Sequence, residues 1–169
     1  MSKTSEEYWK ILNTINEWIR FSDLKAGAIL SVYGIILTVI YSNSEQVFKI
    51  LDTNSSLLFI SIVAIITSII SVFLSFLTLN PSLKNKNPHS ILFFGHIQKK
   101  FDSYEDYDQQ AKEIISGKKE YRAQLAEQIH INSTICWNKY KKVSWSIRSF
   151  ISTILLLLTA LTIYLIISI

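Results

Sequence analysis

Gln124, Gln128 and Asn132 follow one another at four-residue intervals, and Lys139 stands seven residues further on. On a helix this spacing stacks three carboxamides and an ammonium along one side. Carboxamides can read the edge of a nucleobase, and Arg or Lys can hold a phosphate. Arg20 and Lys25, with Asp23 between them, form a second polar group. Trp18, Phe94 and Tyr140 offer rings that stack on a planar ligand, and His96 sits in the same apolar block as Phe94. The plainer role for Gln128 and Asn132 is to fix helix register, as a polar residue at a core position does. For His96 the expectation is a hydrogen bond to a backbone turn rather than a metal pair with His130, so no metal site is expected.

Covalent chemistry finds little support. No glycine-rich phosphate loop, CxxC or HExxH is present, and His89, His96 and His130 are scattered. Asp102, Glu105, Asp106 and Asp108 read as the acidic start of a helix behind a capping Ser103. The cytoplasmic part, both stalks included, totals roughly ninety residues, too few for an independent enzyme core with a deep cleft. No catalytic residue and no cofactor are expected. Cys136 is the single cysteine, which excludes a disulfide framework.

The elements that carry these groups are membrane helices. Residues 57–79 hold no charge and no proline, and as a helix they extend about 34 Å, enough for a hydrocarbon core of roughly 30 Å. Ser61, Ala64, Ser68, Ser71, Ser75 and Thr78 recur through this stretch at intervals of three and four, giving it one small, hydroxyl-bearing face. Such a face packs closely against another helix or lines water. Residues 26–41 form a shorter span with its own stripe, Gly27, Ser31, Gly34 and Thr38, and Lys25 snorkels at its start. Residues 147–169 form the third, with Trp145 and Arg148 at its interface. The fold expected is an all-α integral membrane protein with three transmembrane helices and helical cytoplasmic stalks.

Eleven Lys and Arg residues fall between Asn80 and Val143, whereas Lys49 is the only cation between the first two spans. The positive-inside rule then keeps 1–25 and 80–146 cytoplasmic, with the N-terminus inside. The opening MSKTSEEYWK does not resemble a cleavable signal. The net charge of +4 and pI near 9.1 suit a membrane surface better than nucleic acid, which is not expected as a partner. Lys139, Lys141, Lys142 and Arg148 with Trp137, Tyr140 and Trp145 read as an interfacial anchor.

All four glycines lie at 27, 34, 95 and 117, so the stripe Tyr8, Ile11, Leu12, Ile15, Trp18, Ile19 and Ser22 should run as one helix into the first span. Lys118 onward should form one helix into the third span, burying Tyr121, Leu125, Ile129, Asn132, Cys136 and Val143, and the two stalks should pack together. Asn80-Pro81 ends the second span, Asn87-Pro88 extends the loop, and SILFFGHI (90–97) is an apolar patch broken by Gly95.

The segments EWIRFSDLKAGAIL (17–30), NPSLKNKNPHSILFFGHI (80–97) and QIHINSTICWNKYKKV (128–143) resemble the membrane effectors of Pycsar anti-phage systems. The resemblance implies a bacterial inner-membrane protein that senses cyclic CMP or cyclic UMP from a partner cyclase. It further implies damage to the membrane and abortive infection. Several copies would pack through the small-residue seams, with Arg20 or Lys25 on the phosphate and Gln128 and Asn132 on the base. The alternatives are an ungated, holin-like pore-former and an adaptor that recruits a soluble partner.

Overall fold

A computed structural model describes residues 3–81 and 90–167. Lys84, Lys86, the Asn87-Pro88 turn, His89 and the last two residues of the third span lie outside them. The described residues form six helices and no strand: α1 (Lys3–Ser42), α2 (Ser44–Thr53), α3 (Ser55–Leu79), α4 (Phe94–Lys100), α5 (Tyr104–Ser116) and α6 (Lys118–Ile167). Three of them, α1, α3 and α6, are long and apolar enough to cross a membrane. The two stalks and their spans are thus continuous helices, as the absence of glycine and proline within the stalks predicts. The chain resolves into two compact units, Met1–Phe21 with Pro81–Asn138 and Ser22–Asn80 with Lys139–Ile169. Helices α1 and α6 supply segments to both.

The first unit is held by an apolar core. Leu12 of α1, Ile91, Ala111 and Ile114 of α5, and Tyr121 and Leu125 of α6 form one buried cluster, with Tyr8, Trp9, Leu92, Tyr107 and Ile129 against it. The Trp9 indole N–H donates to the Tyr121 hydroxyl at 2.8 Å, so the two stalk helices do pack. Helix α5 begins as its sequence predicts. The Ser103 hydroxyl accepts the Asp106 amide at 3.2 Å and donates to the Asp106 carboxylate at 2.9 Å.

Two expectations change here. Gly95 does not break the apolar patch; it sits in the first turn of α4, where a Cβ would come within 2.8 Å of the Phe93 ring. The N-terminal stripe is also narrower than the sequence suggested. Leu12 is buried but Ile11 and Trp18 are about half exposed, because a 40-residue helix drifts past a single packing partner.

The second unit is built the other way round. Most of its fully buried side chains are hydroxyls, Ser22, Ser71, Ser75, Thr78, Ser146 and Thr153, beside the apolar Ala26 and Val143. Ser71 donates to the Ser146 carbonyl at 2.9 Å, Ser146 donates to the Ser71 carbonyl at 2.8 Å, and the Ser75 and Ser146 hydroxyls lie 2.7 Å apart. One level along, Thr153 is reached by Tyr33 at 3.2 Å and by Thr67 at 2.8 Å. The small face of α3 therefore meets α6 of the same chain. On α1 the face packed within the chain is Ser22, Ala26, Ile29 and Tyr33. The stripe Gly27, Ser31, Gly34 and Thr38 lies on another side: Ser31 and Thr38 are exposed and bond back to the Gly27 and Gly34 carbonyls, and a Cβ at either glycine would touch nothing within 4 Å.

Candidate functional site: an amide chain between α1 and α6

In the first unit the stacked carboxamides of α6 divide into two roles. Gln124 is buried, and its carbonyl oxygen accepts the Ile91 amide at 3.1 Å, which fixes the segment before α4 to α6. Gln128 and Asn132 instead form a relay. Gln128 Nε2 donates to Asn132 Oδ1 at 2.9 Å, and Asn132 Nδ2 donates to Asn16 Oδ1 of α1 at 2.7 Å. Gln128 is buried, Asn132 half-buried and Asn16 exposed, so the chain of dipoles runs from the interior to the surface. It ends in the two N–H donors of Asn16. Arg20, one turn along α1 from Asn16, is exposed and carries no ion pair among the described residues. An amide terminus beside an unpaired guanidinium suits a ligand with a carbonyl acceptor and an anionic group.

Asn16 was not among the residues singled out from sequence. Its signal was the i, i+4 spacing to Arg20, hidden because Asn16 borders the apolar stripe of α1.

The other candidate residues lie elsewhere. Trp18 is half exposed with its ring edge-on to Phe21 at 6.5 Å. Phe94 is exposed at the start of α4, tilted against Phe93 at 4.9 Å. The His96 ring packs edge-on to Phe93 at 5.1 Å, and its buried Nδ1 has no hydrogen-bond partner. That nitrogen does not bond a backbone turn. The turn bond comes from the His96 backbone amide, which donates to Phe93 at 3.0 Å. His130 is exposed on α6, and no group of three metal-ligating side chains occurs among the described residues. Cys136 is partly buried, and that burial pushes its thiol pKa up.

Asp23, Lys25, Lys139 and Tyr140 belong to the second unit. Lys139 is buried and ion-paired with Asp23, which is about a third exposed. The Lys25 ammonium lies over the Tyr140 ring, 5.3 Å from its centroid. The interfacial anchor is therefore smaller than its sequence suggested. Arg148 stacks over Trp145 at 5.0 Å and Trp137 is exposed, but Lys139 is withdrawn into its pair with Asp23.

Six helices among the described residues, three of membrane-spanning length, define this as an all-helical integral membrane protein. Residues 7–166 match the Pycsar effector protein domain, and the chain belongs to that family. It is thus a transmembrane effector of anti-phage defence, of a family that works beside a cyclase. The chain is also similar to the Pycsar effector protein PtPycTM of Propioniciclava tarda, 24% identical over 152 residues that cover 88% of this chain and 72% of that protein. No solved structure matches it.

Proposed function

We propose that the protein senses a cyclic pyrimidine nucleotide, cyclic CMP or cyclic UMP, made by a partner cyclase, and impairs the bacterial inner membrane when the nucleotide binds. The observation that supports a sensor is the amide chain ending at Asn16 beside Arg20. Asn16 donates to a ring carbonyl of the base, and Arg20 takes the cyclic phosphate. Gln128 and Asn132 hold Asn16 in orientation rather than touching the base themselves. Lys139 is already neutralised by Asp23 and is left out of the phosphate site. In this reading the protein has no catalytic residue, lies N-terminus inside, and acts as several copies whose contact is the exposed Gly27, Ser31, Gly34 and Thr38 stripe of α1.

The test is binding of cyclic CMP and cyclic UMP to the detergent-solubilised protein, with cyclic AMP and cyclic GMP as controls. One pyrimidine nucleotide should bind at micromolar concentration or better, and Arg20→Ala should weaken it at least about tenfold, the worth of one charge-assisted contact. Absence of binding to all four nucleotides by folded protein would remove the sensor reading.

A further inference from the structure

We infer that α2 lies along the headgroup–acyl boundary of the leaflet in which the first two spans end, with Phe48 dipped into lipid. The inference rests on the membrane spans and is independent of the nucleotide.

The sequence of α2, SEQVFKILDT, separates its side chains by face. At about 100° per residue, Val47, Phe48, Ile50 and Leu51 fall within an arc of about 160°. Glu45, Gln46, Lys49, Asp52 and Thr53 fill about 120° of the opposite side, all of them exposed. None of its residues is buried, and Phe48 is 71% exposed. Helix α2 lies against α3, and Val47, Ile50 and Leu51 are half-buried, but Phe48 on the same apolar side is left uncovered by the chain.

Its inclination follows from the hydroxyl contacts. Tyr33 and Thr67 meet on the Thr153 hydroxyl at 3.2 and 2.8 Å, which puts those two points of α1 and α3 at one level. From that level α1 climbs about 15 Å to Asn43, and α3 climbs about 20 Å to Asn54. Helix α2 is itself about 15 Å long but has only about 5 Å of height to make up. It therefore runs crosswise over the ends of the two spans and does not prolong α1.

Its attachment is short at both ends. One residue, Asn43, separates it from α1, and the Asn43 side chain donates to the Val39 carbonyl at 2.8 Å. One residue, Asn54, separates it from α3, and its side chain accepts the Ser56 and Leu57 amides at 3.1 and 3.2 Å. A helix tied this closely to two spans cannot leave the membrane surface.

Lipid is the occupant that fits the apolar side. Phe48 is exposed, as are the apolar Tyr41 at the end of α1 and Leu58 and Phe59 at the start of α3. The apolar stretch 26–41 is only about 24 Å long against a hydrocarbon core of roughly 30 Å, so hydrocarbon is left for α2 to cover. The polar side carries Lys49 against Glu45 and Asp52, so apolar burial and not anionic headgroups drives the contact.

The full chain carrying Cys136→Ser, with Phe48→Cys or Lys49→Cys labelled by a nitroxide, tests this in phosphatidylethanolamine–phosphatidylglycerol vesicles. Leu51→Cys and Asp52→Cys give a second pair should the first perturb folding. The ratio of oxygen to nickel-complex accessibility should be several-fold higher at Phe48 and Leu51 than at Lys49 and Asp52. It should not change when phosphatidylcholine replaces phosphatidylglycerol. Equal, water-like values on both faces would overturn the inference. So would shielding of Phe48 from both reagents, which is the signature of a second copy seated there, and so would a contrast that needs anionic lipid.

Discussion

The two units differ in the chemistry that dominates their interiors. In the first, Leu12, Ile91, Ile114 and Leu125 are inside, and the carboxamides of Asn132 and Asn16 come to the surface. In the second, Ser71, Ser75, Ser146 and Thr153 are inside, and Ile65, Ile69, Phe73 and Leu155 are outside. The solvent explains the reversal. Water drives apolar groups together, whereas lipid is as apolar as Leu and leaves close packing and hydrogen bonds to hold helices. One chain thus carries both solutions, and α1 and α6 change from one to the other along their own length.

That contrast can be broken by measuring what each core is worth. Leu125→Ala should cost most, about 3 kcal/mol, because it empties a fully buried site in the water-type core. Thermal unfolding in detergent measures it. Asp23→Ala should follow at about 2 kcal/mol, since it strands the buried Lys139 ammonium while the partial exposure of Asp23 reduces the loss. Adding Lys139→Leu should recover most of that stability, and failure to recover it would mean the loss is not electrostatic. Ser75→Ala should cost least, below about 1 kcal/mol, because hydrogen bonds between membrane helices are individually modest. A Ser75→Ala loss as large as that of Leu125→Ala would sink the distinction between the two cores.

Much of the fold was legible because helix length and helix breakers are written locally. Pro81 after α3, Ser103 before α5 and the absence of glycine and proline before Gly27 and after Gly117 each constrain their own element with little help from elsewhere. The facing of α1 was not legible. It carries two stripes, Ser22-Ala26-Ile29-Tyr33 and Gly27-Ser31-Gly34-Thr38, and in lipid neither hydrophobicity nor size alone decides which meets a neighbour. Tyr33 settles the matter through its reach to Thr153, a contact 120 residues away. The candidate site was half legible for the same reason. The spacing of Gln128 and Asn132 was visible, but Asn16, which completes the chain, lies 116 residues from Asn132. The amphipathic segregation of α2 is written in its sequence.

The hydroxyl ladder between α3 and α6 repeats with the turn of the helix, and this gives their interface a periodic landscape. Ser146 now sits between Ser71 and Ser75, and Thr153 beside Thr67 and Ser68. Moved one turn along α3, about 5.4 Å, Ser146 arrives between Ser75 and Thr78 while Thr153 arrives at Ser71. The hydroxyl partners of Ser146 are replaced by others of the same kind, and Thr153 exchanges two for one. An interlocked core such as that around Leu125 has a single seat, but this seam has steps.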